Sequence, residues 1–458
     1  MSHALQHRAS RSTQPAPAFQ RDRGWLVPLL LFFVLKGMLL VAMIGPFTGH
    51  DEVDHFYYIA RLAAGDGLGV VGEVELPPTA APYRDYVADY PTNAEVIQPP
   101  LYHLLLTPIY LATPGGETVR LAVLRLAAIP LGAMVVWLAY LTARLLFPAE
   151  LLLRAGVPLF VAFQPQLAFE AAIVNHDILL IALVSLVVYL VLRGLRDSLS
   201  PRDEWTIGLV SAAALWTKVS FGLILPVIGL GVIMALRNQG ARPRTMCVAL
   251  GRTLVAPVVA IAPWLLRSFL LYGDPTGAGR LAHIPGFGEQ ARTYQQMATD
   301  PQFWHLLLQD FWANFGWRQI PLDPIGFRVV WLTWGVALTG LLIGSIRAMR
   351  NRRDPARPRL DRAQRQGVAI MALSVVVLTF GVFYVGTIQF TQARFAFPAM
   401  IGFGVLTMLG VAGWLPTRWR PVALPVVALA MMLLDLLLVL RYLLPFYYGP
   451  GGGVAMLP

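Results

Sequence analysis

Titratable side chains are concentrated in six consecutive residues near the start of the chain. His50 to His55 contain two imidazoles and three carboxylates, just after the first long apolar segment. Charge is costly to hold beside lipid, so a cluster at this depth calls for an explanation. On a helix beginning at Asp51, His55 lies one turn further on, and a carboxylate oriented by an imidazole can act as a general base. The simpler alternative is a solvated cap on a loop helix.

Polar residues also interrupt the apolar pattern further along the chain. Asn175, His176 and Asp177 lie between two apolar segments. Asp177 can cap the helix that follows, or it can face the same cavity as Asp51. Glu170, one to two turns earlier, is expected to extend toward the headgroups.

Two cations stand at the ends of later apolar segments. Lys218 and Arg394 either anchor in the headgroup region or provide counter-charge for a lipid-linked phosphate, which an arginine can bind through two parallel hydrogen bonds. The other lysine, Lys36, lies midway along the first apolar segment. It should therefore face other helices, and Asp435 in the last segment is its candidate partner.

The composition defines the kind of protein that must position these residues. Of 458 residues, 57% are hydrophobic and 13% are charged, and the mean hydropathy is +0.61. These values exclude an average soluble protein and indicate a polytopic helical membrane protein. The net charge of +11 comes from short loops between apolar runs, which is typical of membrane topology rather than of nucleic-acid binding. A single cysteine, Cys247, excludes a disulfide framework.

Hydropathy predicts an all-α bundle of about eleven transmembrane helices in one domain, residues 25–458. A disordered basic cytoplasmic tail, residues 1–24, precedes it. The predicted spans are Trp25–Gly45, Val119–Phe147, Leu152–Val174, Ile178–Leu192, Trp205–Thr217, Ser220–Leu236, Met246–Leu271, Phe327–Ile346, Gly367–Gly386, Phe395–Leu415 and Val422–Leu444. The apolar stretch Leu101–Ala112 is too short to cross and is expected to lie along the membrane.

Loop charge supports this register. With the N-terminus inside, every strongly basic loop falls on the cytoplasmic side, including the loop at 347–366. Two large loops, 47–118 and 272–326, are then outside and carry juxtamembrane helices. The aromatic run Phe311–Trp317 in the second loop is either an interfacial belt or a surface that stacks on a sugar or covers a polyprenyl chain.

The order of these motifs resembles that of the GT-C glycosyltransferases, relatives of dolichyl-phosphate-mannose protein mannosyltransferases and of the lipid A aminoarabinose transferase. The motifs are Asp51-Glu52 with His55, Phe56 and Tyr58, then Gln98-Pro99-Pro100-Leu101-Tyr102, Asn175-x-Asp177, Thr217-Lys218, Tyr272-Gly273-Asp274-Pro275, Phe311-Trp312-x-x-Phe315-Gly316-Trp317 and Gln392-x-Arg394-Phe395. Within that class the chain is most similar to a branch of uncharacterised bacterial membrane proteins.

This resemblance implies an activity. It implies a polyprenyl-phosphate sugar as donor, transfer on the outer face of the cytoplasmic (inner) membrane with inversion at the anomeric carbon, and Asp51 as the catalytic base. His50 and Val53 replace the prolines usual on either side of the Asp-Glu pair. His50 is either a further ligand or proton relay, or a neutral variation.

The hypothesis that follows is an inverting glycosyltransferase acting on a glycan, lipid or protein acceptor. Asp51 takes the proton of the acceptor hydroxyl, and Glu52, His55 and Asp177 position the acceptor or the base. Lys218 and Arg394 bind the donor phosphate. No cofactor is required, although a Mg²⁺ or Mn²⁺ ion held by Asp51, Glu52 and His55 is an alternative. The competing hypotheses are a flippase or transporter of lipid-linked sugars and a non-catalytic membrane protein.

Overall fold

Helices form nearly all the regular structure of the computed structural model, which describes residues 18–77, 92–284, 288–313, 315–316, 318–350 and 360–449. Within those ranges the only strand-like pairing is an isolated antiparallel bridge between Glu75 and Thr92. Nine helical segments of the described chain are long and apolar enough to cross a membrane. The predicted fold class, an all-α polytopic membrane protein, is therefore confirmed.

The helices follow one another with short connections over most of the chain. In order they are α1 (Ala18–Met43), α2 (Glu52–Ala64), α3 (Leu101–Ala112), α4 (Glu117–Leu146), α5 (Leu151–Ala162), α6 (Pro165–Glu170), α7 (Asp177–Arg196), α8 (Pro201–Thr217), α9 (Leu225–Asn238), α10 (Pro243–Tyr272), α11 (Ala278–Leu281), α12 (Tyr294–Thr299), α13 (Pro301–Ala313), α14 (Pro324–Arg350), α15 (Arg362–Gly386), α16 (Met400–Trp414), α17 (Arg420–Leu438) and α18 (Leu444–Tyr448). Short 3₁₀ segments include Glu95–Ile97, Val219–Ile224 and Ala393–Ala399, and a π-helical turn, Val439–Leu443, joins α17 to α18.

Polar contacts divide the bundle into two ends. At one end, here called the basic end, Asp22 pairs with Arg154 at 3.1 Å and Glu204 pairs with Arg252 at 2.9 Å. At the other, the site end, Asp177 pairs with Lys218 at 2.6 Å. α7 runs between the two ends through the centre of the molecule, and 78% of its most apolar stretch is buried.

Two of the eleven predicted spans are observed as helices shorter than those of the nine long segments. Leu152–Val174 is observed as α5 and α6, and Trp205–Thr217 as the 17-residue α8. Both nevertheless run from the basic end to the site end. α5 begins beside Asp22 and α6 ends at Glu170, while α8 runs from the Glu204–Arg252 pair to Lys218. Together with the nine long apolar segments, these two give eleven candidate spans in the described part of the chain.

The break between α5 and α6 has a local cause. Pro165 lacks a backbone N–H, and its ring excludes the carbonyl of the residue four positions earlier, so the first helix ends before it. Gln164 caps the second helix through its side chain, which accepts from the backbone N–H of Leu167. Its amide also donates to the carbonyl oxygen of Phe311, which ties the break to α13.

The predicted chain start and loops are seen only in part. Residues 1–17 of the predicted tail lie outside the described residues, and Ala18–Gly24 form the first turns of α1. The predicted cytoplasmic loop 347–366 is described at 347–350 and 360–366, so its arginines between 351 and 359 lie outside that range. The stretch expected to lie along the membrane is α3, a helix of 12 residues.

The two predicted outer loops contact each other at the site end. The Tyr272 hydroxyl accepts from the backbone N–H of Val71 at 3.1 Å, and Arg267 donates to the carbonyl oxygen of Gly69 at 2.6 Å. The motif after Tyr272 is a turn, as predicted, with Gly273 in the left-handed region at φ 72°.

The predicted pairing of Lys36 with Asp435 is confirmed. The Lys36 ammonium lies 2.8 Å from the Asp435 carboxylate and donates to the carbonyl oxygen of Ala162 at 2.9 Å. Both side chains are nearly fully buried. The pair joins α1, α5 and α17 inside the bundle.

Candidate active site

Asp51 occupies an unusual position at the start of α2. It immediately precedes the first helical residue, Glu52, so the helix begins one position after the start considered from the sequence, and it has a left-handed backbone at φ 58°. Aspartate tolerates this conformation better than most residues. Its carboxylate makes no capping hydrogen bond and is instead paired with the guanidinium of Arg394. The helix start therefore presents a carboxylate to other elements rather than using it locally.

Arg394 also contacts the second carboxylate of the site, and that carboxylate holds the lysine. Arg394 lies 3.4 Å from one oxygen of Asp177, and the Lys218 ammonium lies 2.6 Å from the other. The four groups form a continuous chain of alternating charge: Asp51, Arg394, Asp177, Lys218. Asp177 thus does not cap α7, and Lys218 and Arg394 are held inside the protein rather than extended to headgroups.

The two cations share one aromatic neighbour. The Phe395 ring lies 5.0 Å from the Lys218 ammonium and 5.2 Å from the Arg394 guanidinium. Gln392 accepts from Nε of Arg394 at 2.5 Å, which fixes the plane of the guanidinium. The 3₁₀ segment Ala393–Ala399 therefore carries one of the two cations, Arg394, and the Phe395 ring that contacts both of them.

A cavity of about 370 Å³ opens onto this chain of charges. Its volume is within the range of small-molecule sites. Its polar wall includes Asp51, Glu95, Asp177, Lys218, Gln389 and Arg394. Its apolar wall includes Leu180, Val184, Phe221, Leu223, Ile224, Leu378, Val385, Ile388, Phe395 and Pro398. The cavity is thus polar on one side and apolar on the other, where α7, α15 and the Val219–Ile224 segment line it.

Glu52 was predicted to position either the acceptor or the base, and its contacts fit only the second of these two roles. Glu52 is fully buried and forms a bidentate pair with Arg125, at 2.8 Å and 2.5 Å. It also accepts from the backbone N–H of Val174 at 2.9 Å, and Arg125 donates to the carbonyl oxygens of Ile44 and Gly45. Glu52 therefore has no free acceptor capacity toward the cavity. It fixes the turn that precedes Asp51.

His55 does not orient Asp51, contrary to the helical spacing argument. Its Nδ1 lies 2.9 Å from Nε2 of His103, and its Nε2 lies 3.1 Å from Nδ1 of His176. Glu95 approaches the same two rings, 3.5 Å from His176 and 3.9 Å from His55. Burial lowers the pKa of His55 and of His176 and raises the pKa of Glu95.

The predicted metal-ligand set of Asp51, Glu52 and His55 is not brought together. Asp51 is paired with Arg394 and Glu52 with Arg125, while the His55 ring faces His103 and His176. Because the three side chains have different partners, they do not converge on one point.

His50 has a defined role in packing. Its Nε2 lies 2.7 Å from the Glu170 carboxylate and its Nδ1 lies 3.1 Å from the carbonyl oxygen of Gly316. Glu170 is fully buried, so it does not extend to the headgroups as expected. The pair connects the turn before Asp51 to α6 and to the loop after α13.

The aromatic run near the end of α13 lies in the protein interior. Phe311 and Trp312 are 4% and 1% exposed, and Phe311 packs against Phe397 and Phe403. Neither ring lines the cavity described above. These two aromatics are core residues rather than an interfacial belt or a sugar platform. Trp317 lies outside the described residues.

Three residues of the site were not singled out from the sequence. Arg125 is a lone arginine well inside an apolar span, and such a charge usually faces a partner in the bundle. Glu95 and His103 flank the Gln98-Pro99-Pro100 motif, so their proximity to that motif was the available signal.

Comparison with known proteins assigns the chain to a protein family. Residues 78–402 match the family described as "Predicted membrane protein (DUF2142)". The chain belongs to the DUF2142 family. The matched region of this DUF2142 protein includes Glu95, Asp177, Lys218 and Arg394, and Asp51 precedes it. No curated protein matches the chain.

Solved structures with similar helix arrangements come from GT-C glycosyltransferases, the class that the motifs resemble. ArnT from Cupriavidus metallidurans bound to undecaprenyl phosphate is 16% identical, with 92% of this chain and 73% of that chain covered and a TM-score of 0.48. The apo form of the same protein is 17% identical, with 93% of this chain and 74% of that chain covered and a TM-score of 0.47. The apo oligosaccharyltransferase from Archaeoglobus fulgidus is 13% identical, with 93% of this chain and 56% of that chain covered and a TM-score of 0.49. At such low sequence identities the likeness concerns the fold alone, and neither the substrate nor the mechanism of those proteins is assigned to the DUF2142 protein.

Proposed function

We propose that this protein is an inverting glycosyltransferase that uses a polyprenyl-phosphate sugar as donor. The observation that supports this most is the cavity where a carboxylate, Asp51, meets two cations, Lys218 and Arg394, beside an apolar wall. A lipid-linked phosphate has the same division, with an anionic head and an apolar chain. Cationic groups fixed in place can stabilise charge that develops on a leaving phosphate.

The reaction would be a single displacement. The acceptor oxygen forms a bond to the anomeric carbon while the bond from that carbon to the phosphate oxygen breaks. The acceptor proton passes to Asp51, and the polyprenyl phosphate leaves with the bonding electrons, its charge offset by Lys218 and Arg394. Because attack and departure take place on opposite faces of the sugar, the configuration is inverted.

Arg394 would couple donor binding to the availability of the base. In this structure its guanidinium is paired with the Asp51 carboxylate. A donor phosphate offers Arg394 another anionic partner, one that can accept two parallel hydrogen bonds. Exchange of that partner would free Asp51 for the acceptor proton, so the base becomes available only when the donor is bound.

The basic end would face the cytoplasm and the site end the outer face of the cytoplasmic membrane. Arginines are concentrated in the connections of the basic end, as the positive-inside rule requires. The acceptor, a hydroxyl of a glycan, lipid or protein, would enter from the outer aqueous side. The donor would enter through the apolar wall from the bilayer.

A transfer assay with the full chain in proteoliposomes tests the proposal. Radiolabelled polyprenyl-phosphate sugars would be supplied with envelope extract as the acceptor source, and both labelled product and labelled donor on each side would be measured. We expect labelled product, and a fall in kcat of roughly 10²- to 10⁴-fold for Asp51→Asn. Asp66→Asn, an exposed change in the same loop, is the matched control. Movement of intact donor without product would instead indicate a flippase, and neither outcome a non-catalytic protein.

A further inference from the structure

Three ligand-type atoms converge beside the proposed catalytic carboxylate without serving the transfer step. They are Nε2 of His55, Nδ1 of His176 and one carboxylate oxygen of Glu95. The two nitrogens are 3.1 Å apart, and the oxygen is 3.5 Å from His176 and 3.9 Å from His55. A tetrahedral ion with ligand bonds of about 2.0–2.1 Å spaces its ligands at roughly 3.4 Å, so these atoms are already near metal-ligand spacing.

The polar groups in this cluster are incompletely satisfied. The Glu95 oxygen that faces the two rings has no hydrogen-bond partner, and neither has Nε2 of His176. His55 and His176 are 0% and 1% exposed. Buried polar atoms without partners are uncommon in native proteins, and an ion bound at the Glu95 oxygen is one of the ordinary explanations.

The surrounding residues orient the ligands. His103 Nε2 lies 2.9 Å from Nδ1 of His55 and can accept its proton, which leaves Nε2 of His55 free to bind an ion. Asp54 accepts from the backbone N–H of Ala94 at 3.2 Å, and Asn93 donates to the carbonyl oxygen of Asp54 at 2.8 Å. These bonds hold the segment that carries Glu95 against α2. Ligand orientation therefore comes from two separate parts of the chain.

We propose that His55, His176 and Glu95 bind one divalent first-row transition metal ion, of the Zn²⁺ type. Two imidazoles and one carboxylate are a donor set that suits such an ion, and three protein ligands leave one position open. Glu95 also lines the cavity, so a molecule in the cavity can reach that position. The ion site uses none of the groups proposed for glycosyl transfer, because neither Lys218 nor Arg394 nor Asp51 is a ligand, so metal binding can be measured separately from transfer.

Metal binding can be measured without any activity assay. The full chain, purified through a tag that lacks histidine, is stripped with a chelator, dialysed and titrated with Zn²⁺ or Co²⁺. We expect about one equivalent of bound ion by elemental analysis, the visible absorption of low-coordinate Co²⁺, and a higher thermal midpoint. Glu95→Gln, which keeps the side-chain shape, and His176→Ala should abolish stoichiometric binding. His283→Ala, an exposed histidine outside the cluster, should bind like the wild type.

A second variant keeps the test decisive if a ligand substitution fails to fold. His103→Ala leaves all three ligands in place and should weaken ion binding roughly 10- to 100-fold by releasing the His55 ring. The proposal is overturned if the stripped wild type binds no stoichiometric Zn²⁺ or Co²⁺. It is also overturned if folded Glu95→Gln or His103→Ala protein binds the ion as tightly as the His283→Ala control.

Discussion

At the scale of single residues, the site depends on one guanidinium shared between two carboxylates. Arg394 contacts Asp51 and Asp177, and Asp177 in turn holds Lys218. An arginine can present two parallel N–H groups to a phosphate, whereas a lysine presents a single compact charge. In the proposed function the two cations would therefore have different tasks: Arg394 would orient the phosphate and Lys218 would add charge.

The first prediction concerns this difference. Arg394→Lys retains the charge but loses the two-pronged hydrogen bonding, so affinity for undecaprenyl phosphate should fall roughly 10- to 100-fold. Native mass spectrometry of protein in nanodiscs would measure it. Arg292→Lys, in a partly exposed ion pair with Asp300, is the matched control and should leave affinity unchanged. Equal lipid binding by both variants would show that the phosphate lies elsewhere.

Residue types at the site were predictable from the sequence, whereas their pairings were only partly so. Asp51, Asp177, Lys218 and Arg394 stand out because a charged side chain next to an apolar segment must be paired or reach water. Helical spacing suggested that His55 would orient Asp51, but His55 instead contacts His176, 121 positions away. Partners so distant in the chain depend on how helices stack, which local spacing does not encode.

At the scale of elements, one buried ion pair fixes the start of α2. Glu52 and Arg125 pair inside the protein and together bind the backbone of Ile44, Gly45 and Val174. These contacts connect the end of α1, the start of α2 and the segment before α7 to α4. The position of Asp51 is therefore set by an adjacent residue that does not reach the cavity.

Breaking that pair should unfold the site before it alters chemistry. Arg125→Met leaves the Glu52 carboxylate buried without its cation, which should lower stability by about 3–5 kcal/mol. Denaturation in mixed micelles would measure the loss. The double variant Arg125→Met/Glu52→Gln should recover part of it, since no uncompensated charge remains. If the single and double variants are equally stable, the pair does not have this role.

The second buried pair provides a contrasting case. Lys36 and Asp435 join α1 to α17 away from the cavity lining. Replacing both with apolar residues, Lys36→Met/Asp435→Leu, should leave transfer activity near wild type, because removing a whole buried pair is often close to neutral. Asp435→Asn alone should destabilise the protein. Loss of function in a well-folded double variant would favour a transport path through the bundle over an enzyme.

Hydropathy located the apolar segments of the chain, but it did not always predict where a helix ends. The apolar run from Leu152 to Val174 predicts one span, yet the chain breaks at Gln164 and continues as α6. Pro165 was visible in the sequence, but a proline inside an apolar run either kinks or ends a helix. The outcome here depends on the bond from Gln164 to the carbonyl oxygen of Phe311, a contact 147 residues away.

At the scale of the whole molecule, the candidate active site and the arginine-rich connections lie at opposite ends of the bundle. The cavity and its charges lie at the site end, whereas the Asp22–Arg154 and Glu204–Arg252 pairs lie at the basic end. Loop charge predicted this separation from the sequence, because the positive-inside rule acts on composition and needs no side-chain contacts.

The natural single cysteine gives a direct test of orientation. Cys247 is exposed near the start of α10, at the basic end. A membrane-impermeant thiol reagent should label it in inside-out vesicles and leave it unlabelled in intact cells. The variant Cys247→Ser/Asp66→Cys, with its thiol in the loop after α2, should show the reverse. Labelling of both proteins from the same side would contradict the proposed topology.

The central claim is that one cavity brings a lipid-borne phosphate together with a carboxylate base. A cryo-electron microscopy structure of the protein with undecaprenyl phosphate tests it most directly. We predict phosphate oxygens within about 3.2 Å of the Lys218 ammonium and the Arg394 guanidinium, the polyprenyl chain along the apolar wall, and the Asp51 carboxylate released from Arg394. A phosphate bound outside this cavity, with the Asp51–Arg394 pair intact, would contradict the account.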